Sequence, residues 1–260
     1  MSAAPTPEAI YERAEEEGRR RLSMPLLEQI ATGFIAGVTI VFGIVALGIT
    51  EALVEPELGH GIAALAGALA FGIGVVFLVV GRTELFSENF FDPVAAALDA
   101  DDEPLWGRLA RLWTSTLGLN LVGGGVLVAL LTVEGALPDG SSETLVRVAE
   151  DIAAKSWEAT IVRSILAGAL VTLLSYMLAA SGTVTARILV SFAVGFLLAL
   201  GPFDHVVVSV LHLLFGVWES DTVGYADTAQ NLGLATLGNV VGGLFLITFT
   251  HSAQVRASRS

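Results

Sequence analysis

Three observations predict an all-α membrane protein of six transmembrane helices in two inverted three-helix repeats, with the second and fifth helices broken. The first is composition: 54% of the 260 residues are hydrophobic and mean hydropathy is +0.74, outside the range of a soluble domain. The second is a repeat. Asn120-Leu121-Val122-Gly123-Gly124 recurs 119 residues on as Asn239-Val240-Val241-Gly242-Gly243, and Ala36-Gly37 is echoed by Ala167-Gly168. The third is that the apolar helix upstream of each copy is interrupted by polar residues. The first interruption is Gly81-Arg82-Thr83-Glu84-Leu85-Phe86-Ser87-Glu88-Asn89, and the second is Gly201-Pro202-Phe203-Asp204-His205. Halves with breaks at corresponding places point to a pathway through the membrane, with its site at the breaks.

Residues 1–25 are charged and predict a cytoplasmic amphipathic segment, with no apolar run of signal-peptide type and so no expected cleavage. Residues 26–251 hold six spans, near 26–50, 59–99, 106–133, 159–180, 185–218 and 229–251, each long enough for the roughly 20 residues a bilayer core requires. Residues 252–260 form a cytoplasmic tail. Span two, if continuous, would be about 60 Å long, twice the hydrocarbon core. Asp92-Pro93 therefore reads as a fresh helix start, the Asp capping and the Pro fitting the first turn, and the acidic run Asp99–Glu103 ends that half-helix. Span five breaks at Gly201-Pro202, and Asp204 is expected to cap the half-helix that restarts there. Three helices per half invert the second half, so both half-helix N-termini should meet near the bilayer centre and favour an anion.

Arg13, Arg19, Arg20, Arg21, Arg108, Arg111, Arg187, Arg256 and Arg259 fall on one side of six spans, and Arg147, Lys155 and Arg163 on the other. This bias places both termini in the cytoplasm of a cell (inner or plasma) membrane protein. Trp106, Trp113, Trp157 and Trp218 lie near helix ends, where indoles suit the interface. Gly33, Gly37, Gly123–Gly125, Gly168, Gly238, Gly242 and Gly243 are expected to let helices approach closely.

The formal charge of −13 is unusual for a membrane protein. A high-salt organism is the preferred reading, with an ordinary acidic protein as the alternative. At about 1 M salt the Debye length is near 3 Å, so an acidic surface would scarcely repel an anion. The chain has no cysteine, which excludes disulfides, thiolate metal sites, iron–sulfur clusters and covalent haem, and no cofactor is expected. Acids predominate without a basic patch, so nucleic acid is not an expected partner.

Ionisable residues inside spans are candidates for function by default. His205, at the second break, can exchange a proton near neutral pH and is the leading one. A buried histidine bonded to a neighbouring carbonyl is the plainer alternative. His212 shares its face nearer the outer mouth, while His60 and His251 fall at helix ends. Arg82, Glu84 and Glu88 are expected to form an internal ion pair supporting the first break, with substrate contact by Arg82 a lesser alternative. Asn120 and Asn239 are expected to bond across helices or hold the break loops.

Taken with Leu119-Asn120-Leu121-Val122-Gly123, Phe203-Asp204-His205 and Leu237-Gly238-Asn239-Val240-Val241-Gly242-Gly243, the first break resembles the formate/nitrite transporter family over about residues 25–250. The resemblance implies an aquaporin-like protomer in a homopentamer, with a pore for formate, nitrite or hydrosulfide in each subunit. It puts His205 on the family's central pore histidine and Ser87 on the hydroxyl position of the first break loop. Leu85 and Phe86 fall on the inner constriction, and Phe71, Val75, Val171 and Leu198 on the apolar pore lining. Two positions depart: formate channels carry a pore-wall asparagine where this chain has Gly168, and no arginine at Arg82. The resulting expectation is passage of small weak-acid anions, pH-dependent or proton-coupled, in a membrane protein that is not an enzyme. Alternatives are a water or neutral-solute channel, disfavoured by the lack of Asn-Pro-Ala in either break, a non-conducting member of the fold, and an intramembrane enzyme using Asp204 and His205.

Overall fold

The computed structural model describes residues 5–100 and 105–259, which are helical with no strand among them. Residues 101–103 of the acidic run lie outside the described residues. Helix α1 (Pro7–Leu22) starts where the Thr6 hydroxyl accepts the Ala9 N–H at 3.3 Å and Pro7 occupies the first turn. Five helices are long and apolar enough to cross a membrane: α2 (Leu26–Leu58), α3 (His60–Val80), α5 (Trp106–Leu131), α7 (Trp157–Ala180) and the run Tyr225–Ser258. That last run comprises α10 (Tyr225–Val241), a π-helical stretch Gly242–Thr248 and α11 (Phe249–Arg259). Two shorter apolar helices, α8 (Val184–Leu200) and α9 (Val206–Glu219), flank the second break. The first break holds a tight 3₁₀ turn, Phe86–Phe90, followed by the short α4 (Asp92–Leu98). Large apolar side chains such as Phe42, Phe77, Val122, Leu189 and Phe245 face outward. In water that would be an aggregation surface, but it suits an integral membrane protein.

Several expectations are corrected. Span one runs to Leu58, two turns past residue 50, and its C-terminal end carries Glu51 and Glu55 to Arg147, 2.6 Å from Glu55. The connection between α5 and α7 is not a plain loop. Its residues Ser141–Ala153 form α6, a short amphipathic helix whose Leu145 and Ala149 are fully buried. Asp92 is not a side-chain cap; the cap position is Phe91, with no side-chain bond, and Asp92 is the first helical residue. Trp113 is not an interfacial indole either. Its Nε1–H donates to the Asn89 carbonyl at 2.9 Å, and its ring meets Phe90 edge-on with centroids 5.3 Å apart.

Helix α1 lies against the first break rather than apart from the bundle. Tyr11 and Ala14 pack on Phe91 and Ala95, and Leu22 packs on Val94 and Ala97. Gly18 permits this contact, since a Cβ there would collide with the Asp92 carbonyl. The main core runs through both halves and includes Ile40, Phe71, Leu78, Phe90, Ala167, Leu174 and Val206.

Candidate pore site at the two breaks

Each break is held by one asparagine through the same three hydrogen bonds. Asn120 Nδ2 donates to the carbonyls of Gly33 (2.8 Å) and Glu84 (2.9 Å), and its Oδ1 accepts the Phe86 N–H at 2.9 Å. Asn239 Nδ2 donates to the carbonyls of Ser164 (2.8 Å) and Asp204 (3.0 Å), and its Oδ1 accepts the Val206 N–H at 2.9 Å. A backbone bond completes each set, from Glu84 N–H to Thr32 and from Asp204 N–H to Arg163. A broken helix leaves donors and acceptors that water cannot reach. An amide side chain carries both kinds of group, so one residue closes both ends of the gap. Asn120 and Asn239 are fully buried.

The glycine echoes serve the same join. A Cβ on Gly37 would collide with the Asn120 carbonyl, and one on Gly168 with the Asn239 backbone. Position 168 therefore faces a neighbouring helix at backbone contact. This is the close helix approach expected of Gly168, and an asparagine cannot be seated at this spacing.

His205 ends the second break. It, and not Asp204, is the cap of α9: its Nδ1 accepts the Val208 N–H at 3.5 Å. A neutral imidazole that accepts at Nδ1 carries its proton on Nε2. Nε2 is hydrogen-bonded to Ser87 Oγ in the 3₁₀ turn of the first break. Both residues are essentially inaccessible. Asp204 instead forms an ion pair with Lys155, just before α7.

Leu85, Phe86, Phe71, Val75, Val171 and Leu198 are all buried in the same apolar cluster as Val206, which follows His205. Phe86 stacks edge-on to Phe90, 5.0 Å between centroids. The structure thus brings the two break residues and the six apolar positions into one region. It leaves His212 buried one helical turn pair further along α9, with Nδ1 unpartnered. His60 bonds Glu55 at 3.3 Å, and His251 stacks on Tyr176 with centroids 3.9 Å apart.

The two half-helix starts are not equivalent. That of α9 begins beside the His205–Ser87 pair. That of α4 begins with its own carboxylate, Asp92, 3.7 Å from Arg21, so its dipole is already answered.

The expected ion pair within the first break does not form. Glu84 is bound from outside the break, by Arg20 (3.3 Å) and Arg21 (3.6 Å) of α1, and Arg21 also donates to Asn89 Oδ1 at 3.2 Å. Glu88 is buried, and its carbonyl accepts from Arg21 at 3.4 Å and from Ser175 Oγ at 3.0 Å. Arg82 is in no ion pair among the described residues; its backbone takes the left-handed conformation, φ 55°. Sequence reading counted Arg19–Arg21 only as topogenic charge. The missed signal was a surplus: Glu84, Glu88 and Asp92 recur every four residues in a membrane break that supplies a single cation. Three carboxylates at that depth require partners from elsewhere.

On α1, burial alone would raise the Glu17 carboxyl. Hydrogen bonds and charge from Arg20 and Arg21 outweigh it and bring it down to about 2, from an ordinary 4.5. Beside this cluster opens a cavity of about 590 Å³, lined by residues of α1, the first break, the end of α7 and the start of α8.

A solved structure described as an FNT family ion channel superposes with a TM-score of 0.81 over 95% of this chain and 98% of its own, at 19% identity. A second, described as a pentameric formate channel with formate bound, gives a TM-score of 0.72 over 88% and 96%, at 18% identity. The Inner membrane protein YfdC of Escherichia coli (strain K12) is 25% identical over 253 residues, covering 97% of this chain and 80% of YfdC. The family profile described as Formate/nitrite transporter matches residues 8–253. With that match across nearly its whole length, the chain belongs to the formate/nitrite transporter family, whose members are channels and transporters of the membrane.

Proposed function

We propose that this protein carries small monovalent weak-acid anions, of the formate, nitrite and hydrosulfide class, across the cell membrane through a pore in each subunit of a homopentamer. Both termini are cytoplasmic and the two halves are inverted repeats. The observation that carries the reading is the buried His205–Ser87 pair, one member from each break; Leu85, Phe86, Phe71, Val75, Val171 and Leu198 belong to the main apolar core and are proposed to line the pathway beside it. Family membership and the formate bound in the pentameric relative support it.

A bare anion is costly in an apolar constriction. His205 and Ser87 offer polar hydrogens there, and the N-terminus of α9 adds a fixed positive dipole end. Two roles for the ring follow from this reading. In the capped form Nε2 donates, which lets His205 bind an anion but not protonate it, because losing that proton would leave an imidazolate. Lending a proton needs the ring protonated on both nitrogens, and that gives up the bond from Val208 N–H to Nδ1. Hydrogen bonding to the anion is thus the resting role of His205. Proton transfer, which would let the solute cross as a neutral acid, is coupled to uncapping α9.

Uptake into proteoliposomes tests the reading, comparing formate, nitrite, hydrosulfide, acetate and chloride at acid and neutral pH in high salt, with glycerol swelling as a parallel arm. Selective uptake of a weak-acid anion, faster at acid pH, is expected. Swelling in glycerol without anion uptake would assign the protein to neutral solutes instead.

A further inference from the structure

The chain has 26 acidic residues against 13 basic ones, yet five of those 13 line the cavity beside α1: Arg13, Arg20, Arg21, Arg82 and Arg187. Arg20 and Arg21 are engaged by Glu17, Glu84 and Asp92. The other three come from α1, the first break and α8, are exposed, and form no ion pair among the described residues. Arg13 is steered by a hydrogen bond to the Ala179 carbonyl at 3.3 Å. Glu88, 4% exposed, is the one lining acid outside an ion pair. In so acidic a chain, three unpaired guanidiniums around one opening do not reflect a shortage of carboxylates.

The backbone adds a second observation. Arg82 is the one non-glycine residue with positive φ among the described residues. A β-carbon makes that conformation unfavourable, and such strain persists where surrounding structure or function requires it. Here it turns the chain at the end of α3 and leaves Arg82 on the cavity wall. At about 590 Å³ the cavity is in the range of roughly 300–1,000 Å³ typical of small-molecule sites, far more than a formate or nitrite ion fills. Its remaining wall mixes apolar Val79, Val80, Leu178 and Val184 with the hydroxyls of Thr83, Ser175 and Ser181, which can donate to an oxyanion.

We infer that this cavity is a binding site for a multivalent oxyanion, a di- or tricarboxylate or a phosphate-bearing metabolite, held by Arg13, Arg82 and Arg187 at the inner mouth of the pathway. Guanidinium groups match carboxylate and phosphate geometry with paired hydrogen bonds, and three from separate elements favour a ligand with at least two anionic groups over the monovalent solute. The site goes beyond the transport reading and is measured by binding without flux, so either can fail alone.

The test is binding of inorganic pyrophosphate and of citrate to the purified full-length protein in detergent at fixed ionic strength, with formate and chloride as comparators. Saturable binding of at least one multivalent anion is expected, weakened about tenfold or more in Arg82→Gln and in Arg187→Gln, since a charge-assisted hydrogen bond contributes enough for that factor. Pyrophosphate binding without citrate would assign phosphate-bearing ligands, and the converse carboxylates. Thermal unfolding without ligand checks that each variant is folded. Arg187, exposed and unpaired on α8, keeps the test decisive if the Arg82 variant is not. Formate binding as tightly as both multivalent anions, no saturable binding of either, or affinities unchanged in both variants would overturn the inference.

Discussion

At the scale of single residues, this protein concentrates its costs in few places. Arg82 holds a left-handed backbone that glycine adopts without penalty. Arg82→Gly is therefore expected to raise stability by about 1 kcal/mol, read as a higher unfolding temperature. A lower one would mean that the arginine side chain holds the turn. Asn120 and Asn239 each close a broken helix with three buried hydrogen bonds, so replacing either with alanine strands several backbone groups away from water. Each substitution should cost roughly 2–4 kcal/mol, and the two costs should be similar because the bonding is the same. Chemical unfolding of the two variants would show this. A near-neutral effect at one site would break the equivalence of the breaks.

At the scale of elements, α1 is the part the sequence disclosed least. Its charge pattern marked a helix, and its caps are legible in Thr6 and Pro7. Its seat was not legible, because it depends on Gly18 meeting a carbonyl 74 residues away and on Arg21 reaching acids of the first break. Contacts of such separation leave no local period. The asparagines, by contrast, were readable as loop holders, since an amide inside an apolar helix needs partners and a break nearby provides them. The cap of α9 was misassigned because Asp is the commoner cap and His205 does the work only through its Nδ1 geometry. The pairs that Glu17 makes with Arg20 and Arg21 within α1 predict a pH dependence of that helix. The Glu17 carboxyl is lowered from 4.5 to about 2 in the folded state, so its stabilising contribution is complete above about 4.5 and is lost as pH falls toward 2. Proteolysis at the connection between α1 and α2 should be slow at pH 6 and 5 and accelerate only below about 4.5. Acceleration between pH 7 and 5 would contradict this assignment. Glu17→Gln should remove the acid-dependent step.

At the scale of the whole molecule, composition and the internal repeat made the all-helical membrane fold readable before any contact was known. The matched tethers of Asn120 and Asn239, with Gly37 and Gly168 beneath them, give the repeat its physical content. Helix α6 was not readable, because a short amphipathic helix in a polar connection depends on the elements it packs against. The bias of arginines predicts that a reporter active only outside the cytoplasm, fused after residue 260, stays silent. Activity from it would overturn the inverted arrangement. The two breaks meet at the bond between His205 and Ser87, and the proposed transport depends on that ring. The most direct measurement is therefore formate uptake across a pH series in proteoliposomes of the native protein and of His205→Ala with matched folding. Loss of transport, or of its pH dependence, in the variant is the predicted result. Unchanged uptake with an unchanged pH profile would contradict the reading.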